Sequence, residues 1–552
     1  MSENKGHEWV RKRDGRVVPF DADRICGAIF LAGEAIGKPD AFLARELTDS
    51  VIHFLAAETG GGTPETEQIA ELVVKVVREL GQPALAKSFA EGRQSKSGRT
   101  VDCKKDATDA IRDRDTVVGP TLGQISEWVT AGRSSPEMNR QVLSKCWEHY
   151  SRREVYTRDL VSLHDNGLLH LGGLDAPFQI EASVVDLTPG RGLELDPAFF
   201  DATDHISRLI AIDNPEYFLA AGGRTPDEAR VWLRSMMARL AALRLHGVVN
   251  LNSLSRPASV VDLATGPLFD AHQPAFSAAD LQLLRRTILD EAFEAARTGL
   301  LICVDWHLNE SDFEDAGNEA LSSVCQRVTG GAGIAFVFDR PRHTVSLCAS
   351  LDRKHASVLL TVGLNLVRLL DQCSLPTDKT QFLHKLESLV RLSISAARQK
   401  REFLRRNSKY RQVLSRGFSL ERARLVVVPD GLSEVVRLVT GRDIFSAGEG
   451  SDFARAVLGR MREILTVEGQ SCVLETCVVP LTGPPGSQSG DSGGEEFIAA
   501  RSLLRFAGLI QSAAGAGTFE PRSDGPFTAG ATELMGYLRY AWEHTELVRI
   551  KL

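Results

Sequence analysis

The first feature of the chain that could do chemistry is a basic stretch near the amino terminus, "WVRKRDGRVVPF", residues 9–20. Lys12 and Arg13 precede an Asp14-Gly15 turn, so their side chains can converge on one anion. A guanidinium suits bidentate phosphate contact, and an ammonium supplies a mobile point charge. The stretch is therefore either a phosphate-binding hairpin or a solvated basic tip, which is what most runs of charge are.

Short elements are predicted around this turn. A strand is expected on either side of it, and Asp21 is expected to cap the helix that follows. After "GGGTPETEQ", Thr63 is predicted as the N-cap and Pro64 as the first residue of a second helix. A further helix, "QPALAKSFAEGR", closes the unit. Residues 1–96 are therefore predicted to form a small α+β domain, and the polar residues 97–117 a linker.

The order and spacing of these segments resemble the ATP-cone, the regulatory domain at the amino terminus of many ribonucleotide reductases and of their transcriptional repressor. The opening "VRKRDGR" and the closing "ALAKSFAEGR" carry the resemblance. It implies that ATP or dATP binds here as an allosteric effector. The residues implied in nucleotide binding are Val10, Lys12, Arg13, Gly15 and Lys87.

Bulk properties restrict the class of protein. The chain has 552 residues, too many for one core, so two or more domains are expected. A net charge of −7 argues against a general nucleic-acid binder, and no DNA contact is expected. The charged amino terminus lacks the apolar region of a secretory signal. The sequence also has no run of about 18 apolar residues, which is the length needed to span a membrane. Nine scattered cysteines favour a reducing, cytoplasmic setting.

Residues 118–552 are predicted to form one large α/β body. The strand candidates are "LLICVDW", "GIAFVFD", "HTVSLCASL", "SVLLTVGLNL" and "ARLVVVPD". The clearest helices are "TPDEARVWLRSMMARLAALRLHG" and "KTQFLHKLESLVRLSISAARQKREFLRR". Strands that alternate with long helices favour a barrel-like architecture at this length. The Gly/Ser/Pro-rich residues 482–496 are predicted to form a mobile loop.

Motifs of the body resemble, in the right order, the catalytic subunit of anaerobic (class III) ribonucleoside-triphosphate reductases, glycyl-radical enzymes with an α/β barrel. The motifs are "LHDNGLLHLGGLD", "HGVVNLNSLSRP", "VSLCASL", "TVGLNLVRLL", "VVVPDGLSEVVRLVTG" and "LMGYLRYAWEHTELVRIKL". The resemblance implies that Gly536 stores a backbone radical, that Cys348 removes the 3′-hydrogen of a bound nucleotide, and that Asn365 holds the ribose or the reductant. It also implies a radical-S-adenosylmethionine activating partner, electrons from formate or a thiol system, and a homo-oligomer.

The body departs from the family's pattern at positions that matter to the chemistry. Glu533 replaces an arginine near the glycyl position, and Gly172 and Gly173 replace a His-Asp pair. The segment "APFQIEASVVDL" lacks the second cysteine that the family uses with the radical cysteine. No cysteine follows Cys477, so the family's four-cysteine zinc site is not expected. Cys472 and Cys477 alone do not make a closed metal site.

Each candidate residue has a structural alternative. Cys348 could be a small buried apolar residue, and Gly536 an ordinary turn or helix-end glycine. His164 and His170 are predicted to be structural partners at a helix end, while "DWH", residues 305–307, could line a pocket.

Three functions remain open. The first is a divergent ATP/dATP-regulated anaerobic reductase. The second is a catalytically inactive, reductase-derived regulator or scaffold that binds nucleotides. The third is a nucleotide-sensing transcriptional regulator that shares only the ATP-cone. It is least favoured because the sequence shows no helix-turn-helix pattern, no zinc ribbon before the cone, and an acidic net charge.

Overall fold

A computed structural model provides the structure of the chain. The residues that it describes are 9–59, 62–97, 136–187, 205–252, 277–300, 302–314, 318–329, 334–339, 346–348, 351–352, 355–373, 378–406, 420–442, 449–472, 474, 476–478, 535, 538–539 and 547–550. The chain divides into two compact units. The first comprises Met1–His170, Leu174–Pro177 and Thr380–Lys400, and the second comprises Leu171–Gly173, Phe178–Lys379 and Arg401–Leu552.

The first unit opens with the predicted hairpin, in which two antiparallel strands flank the Asp14-Gly15 turn. The elements of this N-terminal domain are β1 (Trp9–Arg11), β2 (Val17–Pro19), α1 (Ala22–Ala35), α2 (Ala41–Thr59), α3 (Thr66–Glu79) and α4 (Pro83–Ser97). The predicted N-cap Asp21 is confirmed, since its Oδ1 accepts the backbone N–H of Asp23 at 3.2 Å. The apolar side chains Ile69, Leu72, Val73, Val76 and Val77 recur at helical spacing along α3 and are buried.

The predicted start of α3 is wrong by two residues. The N-cap is Glu65 rather than Thr63, and the helix begins at Thr66. The reason is tertiary, because Arg11 N donates to Pro64 O at 2.9 Å and a parallel bridge joins Arg11 to Glu65. These bonds hold the chain extended beyond Pro64, so the helix cannot begin there.

Three further helices belong to the first unit: α5 (Pro136–Glu154), α6 (Arg158–Asp165) and, through its residues Thr380–Lys400, α12 (Lys379–Arg406). The backbone N–H of Thr157, just before α6, donates to Gln399 Oε1 on α12 at 2.9 Å. Arg158 Nη1 lies 2.9 Å from Glu34 Oε2 on α1. The N-terminal domain and these helices therefore share one network of contacts.

The second unit is built on a mixed sheet that curls into a half-barrel, which confirms the predicted α/β class. Its strands are β3 (Leu169–Leu171), β4 (Ile180–Asp186), β5 (Ile206–Asp213), β6 (His246–Asn252), β7 (Ile302–Leu308), β8 (Ile334–Phe338), β11 (Ser357–Asn365), β12 (Arg424–Asp430), β13 (Thr476–Val478) and β14 (Leu547–Ile550). The order along the sheet is β13-β12-β11-β4-β5-β6-β7-β8-β14. The runs β4–β8 and β11–β13 are each parallel, and they meet antiparallel between β4 and β11.

From β5 to β8 and from β11 to β13, helices connect successive parallel strands, as the alternation in the sequence predicts. They are α7 (Pro215–Ala221), α8 (Pro226–Leu243), α9 (Ala278–Arg297), α10 (Asn318–Thr329), α11 (Leu366–Asp371), α13 (Leu432–Thr440) and α14 (Glu449–Ser471). All five predicted strand segments contain strands, and α12 has the bounds that its periodicity predicts. None of the helices in the described ranges is long and apolar enough to cross a bilayer.

One side of the half-barrel sheet, called here the inner face, holds a buried apolar cluster. Its members are Ala182, Val184, Leu209, Ala211, Val248, Leu351, Val358, Val426 and Val428. Leu351 comes from a separate antiparallel hairpin of β9 (Ser346–Cys348) and β10 (Leu351–Asp352). This hairpin therefore lies against the inner face and adds a side chain to its core.

Gly172 stands where the resembled family has a histidine, and its surroundings explain why a side chain is excluded. A Cβ at this position would lie 2.2 Å from Glu181 Oε1 and 2.8 Å from Thr361 O. The Gly172 N–H also donates to Thr361 O at 2.9 Å, which fixes the backbone. The buried Glu181 side chain therefore fills the space that a side chain at Gly172 would need.

Gly172→Ala is accordingly expected to lower the free energy of unfolding by about 1–3 kcal/mol through overpacking. Gly27→Ala is the matched control, because Gly27 lies within α1 and its Cβ would meet nothing within 4 Å. That control should be neutral or gain up to about 1 kcal/mol. Chemical denaturation of both variants measures the difference, and equal effects would contradict the packing at Gly172.

Candidate functional site

The hairpin of the N-terminal domain places three consecutive basic residues beside the first turn of α3. Thr66 Oγ1 donates to Arg11 O at 3.0 Å and so joins β1 to the start of that helix. Gly15 closes the turn with a φ of +82°, a conformation that favours glycine. Val10 is half-buried in β1. Basic side chains and a helix amino terminus are both chemically suited to an anion.

The charges on this hairpin are not equivalent. Arg13 Nε lies 2.9 Å from Glu67 Oε1, and Arg11 Nη1 lies 3.8 Å from Glu65 Oε1. Lys12, between the two arginines, forms no ion pair with any residue of the described ranges. Lys12 is therefore the basic group of the hairpin that is most available to an added phosphate.

Lys87, the fifth residue predicted to bind nucleotide, lies on α4. Its side chain is largely exposed, and Nζ lies 3.8 Å from Glu91 Oε1. No hydrogen bond or ion pair between described residues joins Lys87 to the hairpin. The structure thus brings four of the five predicted residues together on β1 and its turn. The role of each in nucleotide binding remains a prediction.

A polar cluster that the sequence patterns missed is buried among α1, α2, α6 and α12. Arg45 Nη1 lies 3.0 Å from Asp23 Oδ1, and Arg398 Nη1 lies 3.5 Å from Asp23 Oδ2. Cys26 Sγ lies 3.8 Å from Asp159 Oδ2. Burial raises the pKa of Cys26 to about 12 and raises the pKa of Asp159 above its ordinary value. The members of this polar cluster come from four helices, so no local spacing in the sequence reveals the cluster.

The burial of Asp159 makes stability depend on pH. Its pKa is higher in the folded than in the unfolded state, so the wild type loses stability as pH rises through the folded pKa. Asp159→Asn removes this titration. The Tm of the variant minus that of the wild type is therefore expected to increase between pH 4 and pH 7 in scanning calorimetry. The control is Asp165→Asn, at the exposed end of the same helix, and a difference that does not change with pH would contradict the prediction.

In the second unit, polar residues occupy the carboxyl ends of the parallel strands on the inner face. The strand register places Asp186, Asp213, Asn250 and Asp305 side by side on β4, β5, β6 and β7. All four are buried. Buried polar groups are costly unless they are bonded, and the carboxyl edge of parallel strands is where α/β proteins usually bind ligands. This row, called here the polar row, is the candidate site of the body.

His307 lies one step nearer the carboxyl edge than the polar row. Its Nδ1 lies 2.9 Å from Asp339 Oδ1, and its Nε2 lies 3.1 Å from Asn250 Oδ1. The imidazole is buried, and Asp339, just after β8, is partly exposed. The prediction that residues 305–307 line a pocket pointed to this region, but Asn250 and Asp339 were missed. The sequence signal that could have indicated these two residues is a polar residue at the end of an apolar run, as in "GVVN" and "AFVFD".

A buried ion pair supports the neighbouring strand ends. Arg285 Nε on α9 lies 3.5 Å from Glu216 Oε1 on α7. Arg285 also donates to Tyr217 OH at 3.2 Å, and Tyr217 OH donates to Asn252 Oδ1 at 2.6 Å. Burial raises the pKa of Glu216 above its ordinary value, although Arg285 opposes the shift. This group ties α7 and α9 to the end of β6.

The predicted radical cysteine lies on the hairpin at the inner face rather than on a strand of the main sheet. Cys348 ends β9, and its register partner is Leu351, a member of the inner-face cluster. On β4, the strand that comes from the segment lacking a second cysteine, the inner positions hold Ala182 and Val184. A thiol does occur on this face, since Cys303 of β7 packs against the same cluster.

Asn365, the third predicted catalytic residue, has a structural role. Its Oδ1 accepts the backbone N–H of Arg368 at 3.0 Å and so caps α11. By register it lies opposite Asp430 at the carboxyl end of β12. Gly536 and residues 482–496 lie outside the described residues. The catalytic roles of Cys348, Gly536 and Asn365 therefore remain predictions.

The two candidate histidines of the first unit lie close together. The ring centroids of His164 and His170 are 5.3 Å apart, and burial, followed by the neighbouring His170, lowers the pKa of His164. Within the described ranges, no group of three or more His, Cys, Asp or Glu side chains is arranged to hold a metal ion.

Comparison with known proteins bears on both parts of the chain. Residues 8–97 match the ATP cone domain, which confirms the first resemblance. An anaerobic ribonucleoside-triphosphate reductase of Haemophilus influenzae is 22% identical over 222 residues, which are 37% of this chain and 29% of that protein. The same enzyme of Salmonella typhimurium is 25% identical over 209 residues, 37% of this chain and 28% of that protein. The matched part thus spans under a third of these relatives.

Solved structures resemble the chain over a greater length. The anaerobic ribonucleotide reductase of Thermotoga maritima with citrate in the active site aligns with a TM-score of 0.55 and 11% identity, over 79% of this chain and 94% of that one. The same enzyme in complex with dATP and CTP gives a TM-score of 0.56 and 12% identity, over 78% and 85%. The chain therefore carries an ATP-cone domain, is similar at low identity over 37% of its length to anaerobic ribonucleoside-triphosphate reductases, and shares the fold of a solved anaerobic ribonucleotide reductase.

Proposed function

We propose that this chain is a divergent anaerobic ribonucleoside-triphosphate reductase whose ATP-cone binds ATP or dATP as an allosteric effector. The observation that carries the proposal is the β9–β10 hairpin. Leu351, the register partner of Cys348 in this hairpin, packs in the inner-face cluster, which supports a position for Cys348 beside the inner face of the half-barrel. A thiol delivered there can exchange a hydrogen atom with a substrate bound over the sheet.

Each residue then has a defined task. Gly536 would store the radical, because a carbon without a side chain can become planar, and a radical-S-adenosylmethionine enzyme would install it. The glycyl radical would take the hydrogen atom of the Cys348 thiol, and the resulting thiyl radical would remove the 3′-hydrogen of the nucleotide and later return it. The 2′-hydroxyl would leave as water, with two electrons supplied by formate or a thiol system. Asn365 caps α11 through its side-chain oxygen, and its side-chain amide nitrogen would hold the ribose or the reductant. The cone would sense the effector through Lys12 and its neighbours, with a change of homo-oligomeric assembly as the response.

A second function is favoured by the inner positions of β4. Ala182 and Val184 supply no thiol there, and the family's reduction chemistry uses a second cysteine. The alternative is therefore a catalytically inactive, reductase-derived protein that binds nucleotides and regulates or scaffolds a true reductase.

Anaerobic activation distinguishes the two. The full chain is incubated anaerobically with a reduced activating enzyme of the family, S-adenosylmethionine, a ribonucleoside triphosphate, and formate or a thiol system as electron donor. Electron paramagnetic resonance and deoxyribonucleotide formation are then measured. The reductase proposal expects a glycyl doublet that is lost in Gly536→Ala. It also expects product formation that is lost in Cys348→Ser and kept in Cys146→Ser, an exposed thiol on α5. Nucleotide binding without radical or product would overturn it in favour of the second function.

A further inference from the structure

Charged side chains that alternate in sign join the N-terminal domain to α12. On the α12 side, Arg398 Nη1 lies 3.5 Å from Asp23 Oδ2, and Arg391 Nη1 lies 4.0 Å from Asp49 Oδ2. Between the two aspartates, Arg45 Nη1 lies 3.0 Å from Asp23 Oδ1, and Arg45 Nε lies 3.6 Å from Asp49 Oδ1. These five residues, called here the charge ladder, all belong to the first unit.

The two arginines of α12 have the spacing of one helix face. Arg391 and Arg398 are seven positions apart, close to two turns of helix, so both project from the same side of α12. That side meets Asp23 in the first turn of α1 and Asp49 in α2. The domain's share of the ladder, which includes Arg45, is negative overall, and the share of α12 is positive. The charges of the two sides are therefore complementary.

The ion pairs of the ladder differ in length and in exposure. Within the domain, the Asp23–Arg45 pair is short, and each of its side chains is only 11% exposed. The pairs to α12 are longer, and the side chains of Arg398 and Arg391 are 36% and 28% exposed. Longer, partly solvated pairs constrain their partners weakly. The aspartate at the centre is therefore held firmly by its own domain, while its attachment to α12 is adjustable.

Asp23 is also tied to the end of the basic hairpin. The turn of that hairpin is closed by Lys12 N, which donates to Arg16 O at 2.8 Å. Its second strand ends at Pro19, and Asp21 then caps α1 by accepting the backbone N–H of Asp23 at 3.2 Å. A short hydrogen-bonded path thus leads from the hairpin to the backbone of Asp23, so a displacement of the hairpin reaches the first turn of α1.

The side chain of Asp23 divides its two oxygens between the domain and α12. Oδ1 faces Arg45, and Oδ2 faces Arg398. Because the first contact is the shorter and more buried one, a shift of the first turn of α1 changes the distance to Arg398 before it breaks the pair with Arg45. Asp23 can therefore report the position of the hairpin to α12.

We propose that the charge ladder transmits nucleotide binding at the hairpin to α12, with Asp23 as the switching residue. A triphosphate held by Lys12 fixes the hairpin and the first turn of α1, and the pair between Asp23 and Arg398 shortens. Arg398 is a positioning residue in this mechanism, since it acts through Asp23 and not on the nucleotide. The choice of a nucleoside triphosphate as the effector rests on the proposed function.

Hydrogen–deuterium exchange, measured by mass spectrometry on the full chain with and without ATP, tests this route. In the wild type, ATP is expected to slow exchange in peptides of the hairpin and, by at least about threefold, in the α12 peptides around Arg391–Arg398. Arg398→Gln should keep the response of the hairpin and lose the response of α12. Arg398→Lys, which keeps the positive charge, should restore at least part of it.

Arg398 is the residue to vary because it is partly exposed, so its variants are expected to fold. A change at the buried Asp23 would instead leave Arg45 without its closest partner. Arg406→Gln is the matched control, since Arg406 is an exposed arginine of α12 whose Nε lies 3.1 Å from Glu402 Oε1 on the same helix. This variant should respond to ATP as the wild type does.

Two results would overturn the inference and leave the proposed effector site standing. One is unchanged or faster exchange in α12 of the wild type although ATP binds and protects the hairpin. The other is an α12 response that persists in full in Arg398→Gln. If ATP neither binds nor protects the hairpin in the wild type, the proposed effector function fails, and the inference fails with it.

Discussion

Arg285→Met is expected to lose about 3–5 kcal/mol of unfolding free energy at pH 7, because it leaves the buried Glu216 carboxylate without its cation. Glu216 is completely buried, Arg285 is nearly so, and Arg285 Nε lies 3.5 Å from Glu216 Oε1. The substitution also removes a hydrogen bond to Tyr217 OH. Methionine retains much of the volume of the arginine side chain, so the loss reports the charge more than a cavity.

Arg234→Met is the matched control for this prediction. Arg234 Nε lies 2.8 Å from Glu291 Oε2, but the arginine side chain is largely exposed, so its loss should cost less than about 1 kcal/mol. Chemical denaturation measures both variants and the double variant Glu216→Gln/Arg285→Met, which should regain part of the loss. Burial raises the pKa of Glu216, so this carboxyl takes up a proton in mild acid. The loss of unfolding free energy in Arg285→Met should therefore be smaller at acidic pH than at pH 7. Equal losses at Arg285 and Arg234 would contradict the buried pair.

Lys12→Ala is expected to weaken ATP and dATP binding by roughly 10- to 100-fold, the effect of losing about 1.5–3 kcal/mol of charge-assisted hydrogen bonding. The neighbouring arginines are already paired with Glu65 and Glu67, whereas Lys12 has no ion pair in the described part of the chain. Equilibrium binding of each nucleotide to the full chain measures the change.

Lys75→Ala supplies the control for the loss of one positive charge. Lys75 lies on α3 of the same domain, where its Nζ is 3.4 Å from Glu58 Oε1. It should leave nucleotide affinity within about twofold, since exposed pairs contribute little. Wild-type affinity in Lys12→Ala would reject the assignment of phosphate binding to this lysine.

Much of the fold could be predicted because its signals are local. The apolar spacing of α12 gives its bounds over 28 residues, and the Asp14-Gly15 turn with basic and apolar flanks gives the hairpin. The N-cap at Asp21 is also a local feature. The start of α3 was predicted wrongly because a contact with Arg11, far away in the chain, keeps Pro64 extended.

The candidate site of the body was harder to predict because strand register creates it. Asp186, Asp213, Asn250 and Asp305 are far apart in the sequence, and each ends or nearly ends its own apolar run. Only the pairing of four strands places them in one row, and a shift by one residue would turn a side chain to the other face. The resemblance to the reductases directed attention to Cys348 and Asn365 instead.

The rate of deoxyribonucleotide formation as a function of added dATP and ATP, compared between the activated wild type and Lys12→Ala, tests most directly whether a nucleotide-sensing cone controls a reductase body. We predict that at least one of the two effectors changes the wild-type rate and that this response is lost, or shifted to at least about tenfold higher concentration, in Lys12→Ala. A rate that neither effector changes in the wild type, or a response that is identical in the variant, would contradict it.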